Sequence, residues 1–193
     1  MALLNLQKND ILDLSKKEPG LKNILVACGW DVAKKGFFGL GADYDLDLVA
    51  LLLGEDEKLI KSSDPIIYFN HLNGKGIRLH GDNLTGKGDG DDEKISISLD
   101  KLPKDCNKLV FSVIIYDAKG RRQNFSKVKN AYVRLVNEDK RNEEICRYNL
   151  SEDGGNNTAT IFSELYKENG SWKFKAVGKL LDATVSSLSK MYR

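Results

Sequence analysis

Apolar and polar residues are arranged along most of the chain in a way that predicts short β-strands. Residues 93–99 alternate, with Ile95, Ile97 and Leu99 on one face and polar side chains on the other, as in a strand buried on one side. Residues 23–28 and 109–116 are nearly continuous apolar runs rich in β-branched side chains, which is typical of strands buried on both faces. Further strands are predicted at residues 66–72, 131–136, 145–150, 158–166 and 172–177.

Two local signals add a hairpin and a helix. Asn169-Gly170 lies between two of the predicted strands, and this dipeptide is the strongest short-range hairpin signal. Helical spacing is convincing only over residues 182–192, where Asp182 is the expected N-cap. About ten short strands indicate an all-β fold, a sandwich or a barrel. We expect an antiparallel β-sandwich with a short C-terminal helix, forming a single domain over residues 1–193.

The composition is that of a globular protein, with 41% hydrophobic and 30% charged residues, which excludes a disordered chain. The longest apolar run covers residues 48–53, whereas a membrane span needs about 20 residues. Residues 1–10 lack the features of a signal peptide, and the three cysteines form neither a disulfide pattern nor a zinc motif. We therefore expect a cytoplasmic protein. The formal net charge of +2 does not favour nucleic acid as a partner, although it does not exclude one.

Residues 81–93 (GDNLTGKGDGDDE) have the most unusual composition in the chain. Carboxylates this close together repel one another, so they must be solvated, protonated or neutralised by a cation. The glycines allow backbone carbonyl oxygens to turn inward, and calcium prefers carboxylate and carbonyl oxygens as ligands. A mobile acidic loop is the alternative interpretation. The carboxylates are Asp82, Asp89, Asp91, Asp92 and Glu93.

A second acidic group lies upstream, where Asp43, Asp45 and Asp47 alternate with apolar residues. Residues two apart in a strand share a face, so these carboxylates would point the same way. Asp31 adds a further carboxylate at the end of a predicted strand. A solvated outer face of a strand is the alternative interpretation. Neither acidic group has the glycine and glutamate spacing of an EF-hand loop. On the opposite face, Tyr44, Leu46 and Leu48 are expected to point into the core.

The segment 119–129 is basic around Phe125 and has several possible roles. It could bind a phosphate, a single-stranded nucleic acid or an acidic partner, remain a solvated loop, or act as a counter-charge to the acidic groups. The sequence contains no P-loop and no nucleophile with an adjacent base, so we do not expect an enzyme. Metal-dependent hydrolysis of a phosphoester remains open. The basic residues are Lys119, Arg121, Arg122, Lys127 and Lys129.

The acidic groups belong to a series of motifs that runs through the chain. The series consists of Gly29-Trp30-Asp31, Asp43-Tyr44-Asp45-Leu46-Asp47, the stretch 81–93, Arg122-Gln123-Asn124-Phe125, Ala131-Tyr132-Val133-Arg134-Leu135, Glu164-Leu165-Tyr166 and Trp172-Lys173-Phe174. In this series the chain resembles the TerD family of tellurium-resistance and stress-response proteins over essentially its whole length. The stretch 81–93 is the most specific part of the resemblance.

The resemblance implies a cytoplasmic calcium-binding β-sandwich, commonly with two ions held by strand ends and acidic loops. It also implies a metal-stabilised scaffold whose partners are other proteins of the tellurium-resistance system, with a membrane protein as one candidate. Carried over residue by residue, the calcium ligands would come from Asp31, Asp43, Asp45, Asp47, Asp82, Asn83, Asp89, the carbonyl group of Gly90, Asp91, Asp92 and Glu93.

Overall fold

The computed structural model describes residues 4–32, 44–80, 90–150 and 154–193. Its strands form one sheet of seven strands and one of six, and the helices are short, so the predicted all-β sandwich is confirmed. In chain order the strands are β1 (Leu4–Leu6), β2 (Ile11–Asp13), β3 (Asn23–Val32), β4 (Leu46–Leu53), β5 (Ile66–Ile67), β6 (Asn73–Gly74), β7 (Ile77–His80), β8 (Glu93–Ser98), β9 (Lys108–Ile115), β10 (Val128–Asn137), β11 (Glu143–Asn149), β12 (Ala159–Glu168) and β13 (Ser171–Leu181). The helices are α1 (Leu14–Lys17), α2 (Ala118–Arg121) and α3 (Val185–Lys190), with a 3-10 turn at Phe125–Lys127.

The seven-stranded sheet has the order β1-β11-β10-β3-β8-β7-β6, and the six-stranded sheet has the order β2-β13-β12-β9-β4-β5. Neighbouring strands are antiparallel except for β1 and β11. Within the described ranges, no helix is long and apolar enough to cross a membrane.

Strand β4 shows how the core is built, because all eight of its residues are buried. Leu46 and Leu48 belong to the core between the sheets, which confirms the direction predicted for them. Leu51 belongs instead to a second cluster on the outer face of the six-stranded sheet, together with Leu188 of α3. A strand covered on both faces is expected to be apolar on both, and this explains the run of leucine, valine and alanine that follows Asp47, from Leu48 to Leu53.

The connection between β12 and β13 is the predicted hairpin. Asn169 and Gly170 have φ values of 51° and 76°, the left-handed conformation that a two-residue type I′ turn requires at both central positions. Here a dipeptide signal was sufficient to locate the turn.

The prediction was wrong in detail at two places. The predicted strand 66–72 is a strand only at Ile66–Ile67, because the chain then turns and Tyr68 and His71 exchange backbone hydrogen bonds of 3.0 and 2.8 Å. The C-terminal helix begins at Val185, and its N-cap is Thr184 rather than Asp182. Thr184 caps it because its Oγ1 accepts a hydrogen bond from the backbone N–H of Ser187 at 3.2 Å, which satisfies one of the unpaired donors of the first turn.

Candidate metal centre

The strand order brings the predicted acidic residues to one end of the sandwich. Because β3 is antiparallel to both β8 and β10, the end of β3 lies beside the beginnings of these two strands. In the other sheet, the beginning of β4 lies beside the end of β9. We call the described part of this region the acidic end; it contains Asp31, Asp45, Asp47, Gly90, Asp91, Asp92 and Glu93. The remaining predicted ligands, Asp43, Asp82, Asn83 and Asp89, lie outside the described residues.

Glu93 links the two sheets at the acidic end. Its side chain is 1% exposed, and its Oε2 accepts a hydrogen bond of 2.7 Å from the backbone N–H of Leu48 in β4. That N–H is available because β5 pairs with β4 only at Ala50 and Leu51. The carboxylate of Glu93 therefore accepts the hydrogen bond that a neighbouring strand would otherwise accept from Leu48, the residue after Asp47.

Asp45 and Asp47 occupy the beginning of β4. Asp47 is only 3% exposed, so the alternative of a solvated strand face is wrong for this residue. The side chain of Asp45 is 14% exposed, and its Oδ2 lies 3.6 Å from Nη1 of Arg121. Carboxylates this far from water need cations or hydrogen-bond donors beside them.

Asp31 and Asp92 lie on the seven-stranded sheet at the same end. Oδ2 of Asp92 accepts a hydrogen bond of 2.8 Å from the backbone N–H of Trp30. Oδ2 of Asp31, which is exposed, accepts one of 2.6 Å from Nδ2 of Asn130. A cavity of about 560 Å³ opens beside Asp31, and Trp30, Gly90, Asn130 and Tyr132 are among the residues that line it.

Asp91 has a different environment from its neighbours, because Arg134 holds both of its carboxylate oxygens. Nε of Arg134 donates to Oδ1 at 2.8 Å and Nη2 donates to Oδ2 at 2.7 Å, and the hydroxyl group of Tyr132 donates to Oδ1 at 3.0 Å. Burial opposes ionisation of Asp91, but the hydrogen bonds from Arg134 and Tyr132 outweigh it, so the pKa of this carboxyl group is lowered. Asp91 thus anchors the beginning of β8 to β10.

Sequence reasoning missed the role of Arg134. Its alternation with the apolar residues Val133 and Leu135 indicates only that it lies on the outer face of a strand. The partner, Asp91, is 43 residues away along the chain. No local signal connects the two, although both lie in motifs of the resemblance.

The basic segment lies beside the acidic end, as the counter-charge interpretation predicts. Arg121 contacts Asp45, and Lys129 is paired in register with Asp31 across β10 and β3. The other basic residues of the segment, Lys119, Arg122 and Lys127, are exposed.

The donors at the acidic end have the chemistry that a hard cation needs, because the side chains brought together there carry carboxylate oxygens. In the described part of the chain, no group of three His, Cys, Asp or Glu side chains is close enough to hold a metal ion by itself. A complete site would therefore need further ligands from the predicted set. Cys28 is buried, and burial together with the charges of Glu93, Asp92 and Asp91 raises the pKa of its thiol. A protonated thiol is a poor metal ligand, so the residues fit calcium better than a soft metal.

The three thiols lack the environment of reactive cysteines. Cys28, Cys106 and Cys146 are all buried and free. Burial raises the pKa of Cys106 to about 11, and burial also raises the pKa of Cys146. Reactive cysteines need the opposite environment, an exposed thiol with a lowered pKa.

Comparison with known proteins agrees with the fold and with the motifs. The model of the TerD domain matches residues 1–192. The chain is 44% identical to the tellurium resistance protein TerD of Serratia marcescens over 98% of this chain and 96% of that protein. It is also 44% identical to general stress protein 16U of Bacillus subtilis, over 91% of this chain and 89% of that protein.

A solved structure shares the fold. It is that of a homologue of telluride resistance protein (TerD) from Streptomyces coelicolor A3(2), with a TM-score of 0.68 and 19% identity, and the match covers 90% of this chain and 99% of that one. At this identity the likeness concerns the fold alone. The match to the family model and the relatives at 44% identity show that the chain belongs to the TerD family.

Proposed function

We propose that this chain binds calcium at the acidic end and acts in the cytoplasm as a calcium-stabilised scaffold for partner proteins in the response to tellurite and other chemical stress. The observation that carries the proposal is the position of Glu93. Its buried carboxylate reaches from one sheet to the backbone of β4 in the other, at the residue that follows the buried Asp47. A divalent cation bound at this end of the sandwich would offset the repulsion among the carboxylates gathered there.

Calcium suits this region better than magnesium for a geometric reason. Calcium takes about 6–8 oxygen ligands in flexible geometry, whereas magnesium demands a near-octahedral shell and keeps several waters. Carboxylates that come from both sheets form a wide and irregular donor set. In the proposal, Asp31, Asp45, Asp47, Asp92 and Glu93 hold calcium together with Asp43, Asp82, Asn83, Asp89 and the carbonyl group of Gly90, with room for two ions, and Asp91 positions the strand that carries its neighbours.

A binding role is favoured over catalysis by the surroundings of the two histidines. Nε2 of His80 lies 2.7 Å from Oγ of Ser96, and Nε2 of His71 lies 3.3 Å from Oδ2 of Asp64. Hydrolysis needs a base within reach of the bound substrate or water. Among the residues that the structure describes, neither imidazole is bonded to a carboxylate of the acidic end, so neither is placed as such a base. We therefore propose a protein without enzymatic activity. Two relatives are named as a tellurium resistance protein and a general stress protein, and these names support a role in the response to tellurite and other stress.

The proposal predicts that calcium raises the melting temperature of the chelator-treated protein. A ligand present at a hundred times its Kd stabilises the folded state by about 2.7 kcal/mol. For a domain of this size each kcal/mol raises the melting temperature by about 2–4 °C, so a rise of about 5–10 °C is expected. The measurement is differential scanning fluorimetry with isothermal titration calorimetry, and magnesium at the same concentration is the control. Absence of a binding heat, together with an unchanged melting curve, would refute the proposed calcium site.

The scaffold part of the proposal makes a separate prediction about partners. Purified proteins of a tellurium-resistance system are tested one by one against the immobilised chain, first with millimolar calcium and then with a chelator. At least one partner is expected to bind with calcium and to dissociate when the ion is removed, since the ion would order the acidic end. A partner that binds equally well in both conditions contradicts the calcium-dependent scaffold, and the measured Kd with and without calcium decides between the two results.

A further inference from the structure

Arg121 forms a compact unit with Asp45 and Tyr116 at the edge of the acidic end. Its Nη1 lies 3.6 Å from Oδ2 of Asp45, and its Cζ lies 5.0 Å from the centre of the Tyr116 ring. The backbone N–H of Tyr116 in turn donates to the carbonyl oxygen of Asp45 at 2.8 Å. The guanidinium group is thus placed against a proposed calcium ligand by the end of β9.

The turn that follows β9 fixes the position of Arg121. Helix α2 is a single turn between Asp117 and Arg122, which have left-handed φ values of 46° and 53°. A Cβ atom at Gly120 would lie 2.5 Å from a carboxylate oxygen of Asp117, so a larger residue there would displace the Asp117 side chain. Arg121 therefore contacts Asp45 because of the local backbone, and not through the reach of a long flexible loop.

The two arginines of this region hold their aspartates in different ways. Arg134 binds Asp91 with two hydrogen bonds of 2.7 and 2.8 Å, and the Asp91 side chain is 3% exposed. The contact between Arg121 and Asp45 is longer, at 3.6 Å, and the arginine side chain is 27% exposed. A separation of 3.6 Å exceeds the usual range of a hydrogen bond, so the attraction is mainly that of two charges. Asp91 is held by two hydrogen bonds from its arginine, whereas the contact of Asp45 with Arg121 is a longer ion pair.

We infer that Arg121 is an internal counter-ion that competes with calcium for Asp45 and thereby lowers the calcium affinity of the acidic end. This inference rests on the proposed function, because it assigns a role at the same site. A carboxylate shared by two cations attracts each of them less strongly, and the two cations repel each other, so calcium binding at Asp45 weakens the ion pair with Arg121. The calcium-free protein is stabilised by this pair, and the loaded protein by the ion.

The test compares calcium affinities of three variants by isothermal titration calorimetry. Arg121→Gln removes the competitor and is expected to tighten the Kd about threefold to fivefold, the change that corresponds to an ion pair near the surface. Lys119→Gln removes the same charge from an exposed position in the same turn and is the matched control, with an expected change below about 1.5-fold. Arg121→Lys keeps the charge and is expected to stay within about twofold of the parent chain.

A second readout separates competition from a purely structural role. Arg121→Gln is expected to lower the melting temperature of the chelator-treated protein while it tightens calcium binding, whereas a structural defect would weaken both. Equal shifts in Kd for Arg121→Gln and Lys119→Gln, or weaker binding by Arg121→Gln, would overturn the inference but leave the proposed calcium site intact. A parent chain that binds no calcium would overturn the proposed function and this inference with it.

Discussion

Replacement of Arg134 by methionine is expected to lower the free energy of unfolding by about 2–4 kcal/mol, within or just below the range for breaking a buried ion pair. The loss is large because Asp91, whose side chain is 3% exposed, would keep its charge with only Lys94, at 3.7 Å, as a counter-charge among the described residues. The same substitution removes the hydrogen bond of 2.8 Å from Nη1 of Arg134 to Glu144. Because a quarter of the arginine side chain is exposed, at 26%, water can replace part of what is lost.

Urea unfolding measures this effect, and two further variants define its origin. Arg78→Met removes an arginine from an exposed position on the same sheet, and it is expected to change stability by less than about 0.5 kcal/mol. The double variant Asp91→Asn with Arg134→Met also removes the buried carboxylate that the single variant leaves without its arginine, so it is expected to recover part of the loss. If Arg134→Met costs no more than Arg78→Met, the pair with Asp91 contributes nothing to stability.

The pH dependence gives an independent check on the sign of this effect. The pKa of Asp91 is lowered in the folded protein, so ionised Asp91 stabilises the fold at neutral pH, and this contribution is lost as the pH falls through the lowered pKa. The stability difference between the parent chain and Arg134→Met is therefore expected to be constant near neutrality. It should shrink as the pH falls from the pKa that Asp91 has in the variant, where bonds from Arg134 no longer lower it, to the lowered pKa in the parent chain. A difference that grows on acidification would contradict the assignment.

Replacement of Glu93 by glutamine is expected to weaken calcium binding by at least about tenfold, the loss that even a residue behind the ligands typically causes. The calcium-free protein should keep its stability, because the amide oxygen of glutamine can accept the hydrogen bond from Leu48 that Glu93 accepts at 2.7 Å. A neutral side chain is also less costly to bury than a carboxylate at 1% exposure. The variant thus separates the charge of Glu93 from its contact with β4.

Calorimetry for calcium and thermal unfolding in chelator measure the two effects. The matched control is Glu143→Gln, which removes an exposed carboxylate at the other end of the sandwich, where Glu143 pairs in register with Asn137 at the end of β10. Its calcium affinity is expected to stay within about twofold of the parent chain, because a distant exposed charge is largely screened. Equal calcium affinities for the two variants would show that Glu93 is not part of the calcium site. A loss of stability in the absence of calcium would show that the charge of Glu93 stabilises the calcium-free protein.

Predictions from the sequence succeeded where a signal is local. The alternation at the beginning of β4 correctly placed Leu46 and Leu48 in the core, because side chains in a strand must alternate between its faces. The Asn169-Gly170 turn was located by its backbone preference. By contrast, β1 and β2 were missed, since each has only three residues. A strand this short cannot show a period of two.

The candidate site was predicted in part. The sequence singled out both acidic groups by their composition, and the fold places their described members at one end of the sandwich. The roles of these residues were not predictable, because nothing in the local pattern separates Asp91 from Asp92. One is bound by Arg134 and the other by the backbone of Trp30.

By itself, the sequence determined that the chain forms an all-β domain, where most of its strands lie, and which acidic residues are grouped. These properties follow from the spacing of apolar residues and from turn chemistry, both of which act over a few residues. Only the tertiary structure decided the long-range hydrogen bonds, which join the backbone of Leu48 to Glu93 over 45 residues and Arg134 to Asp91 over 43. Such contacts depend on the order of strands in each sheet and on how the two sheets face each other. No local pattern specifies either of these, and together they determine which carboxylates face an arginine and which face the other sheet.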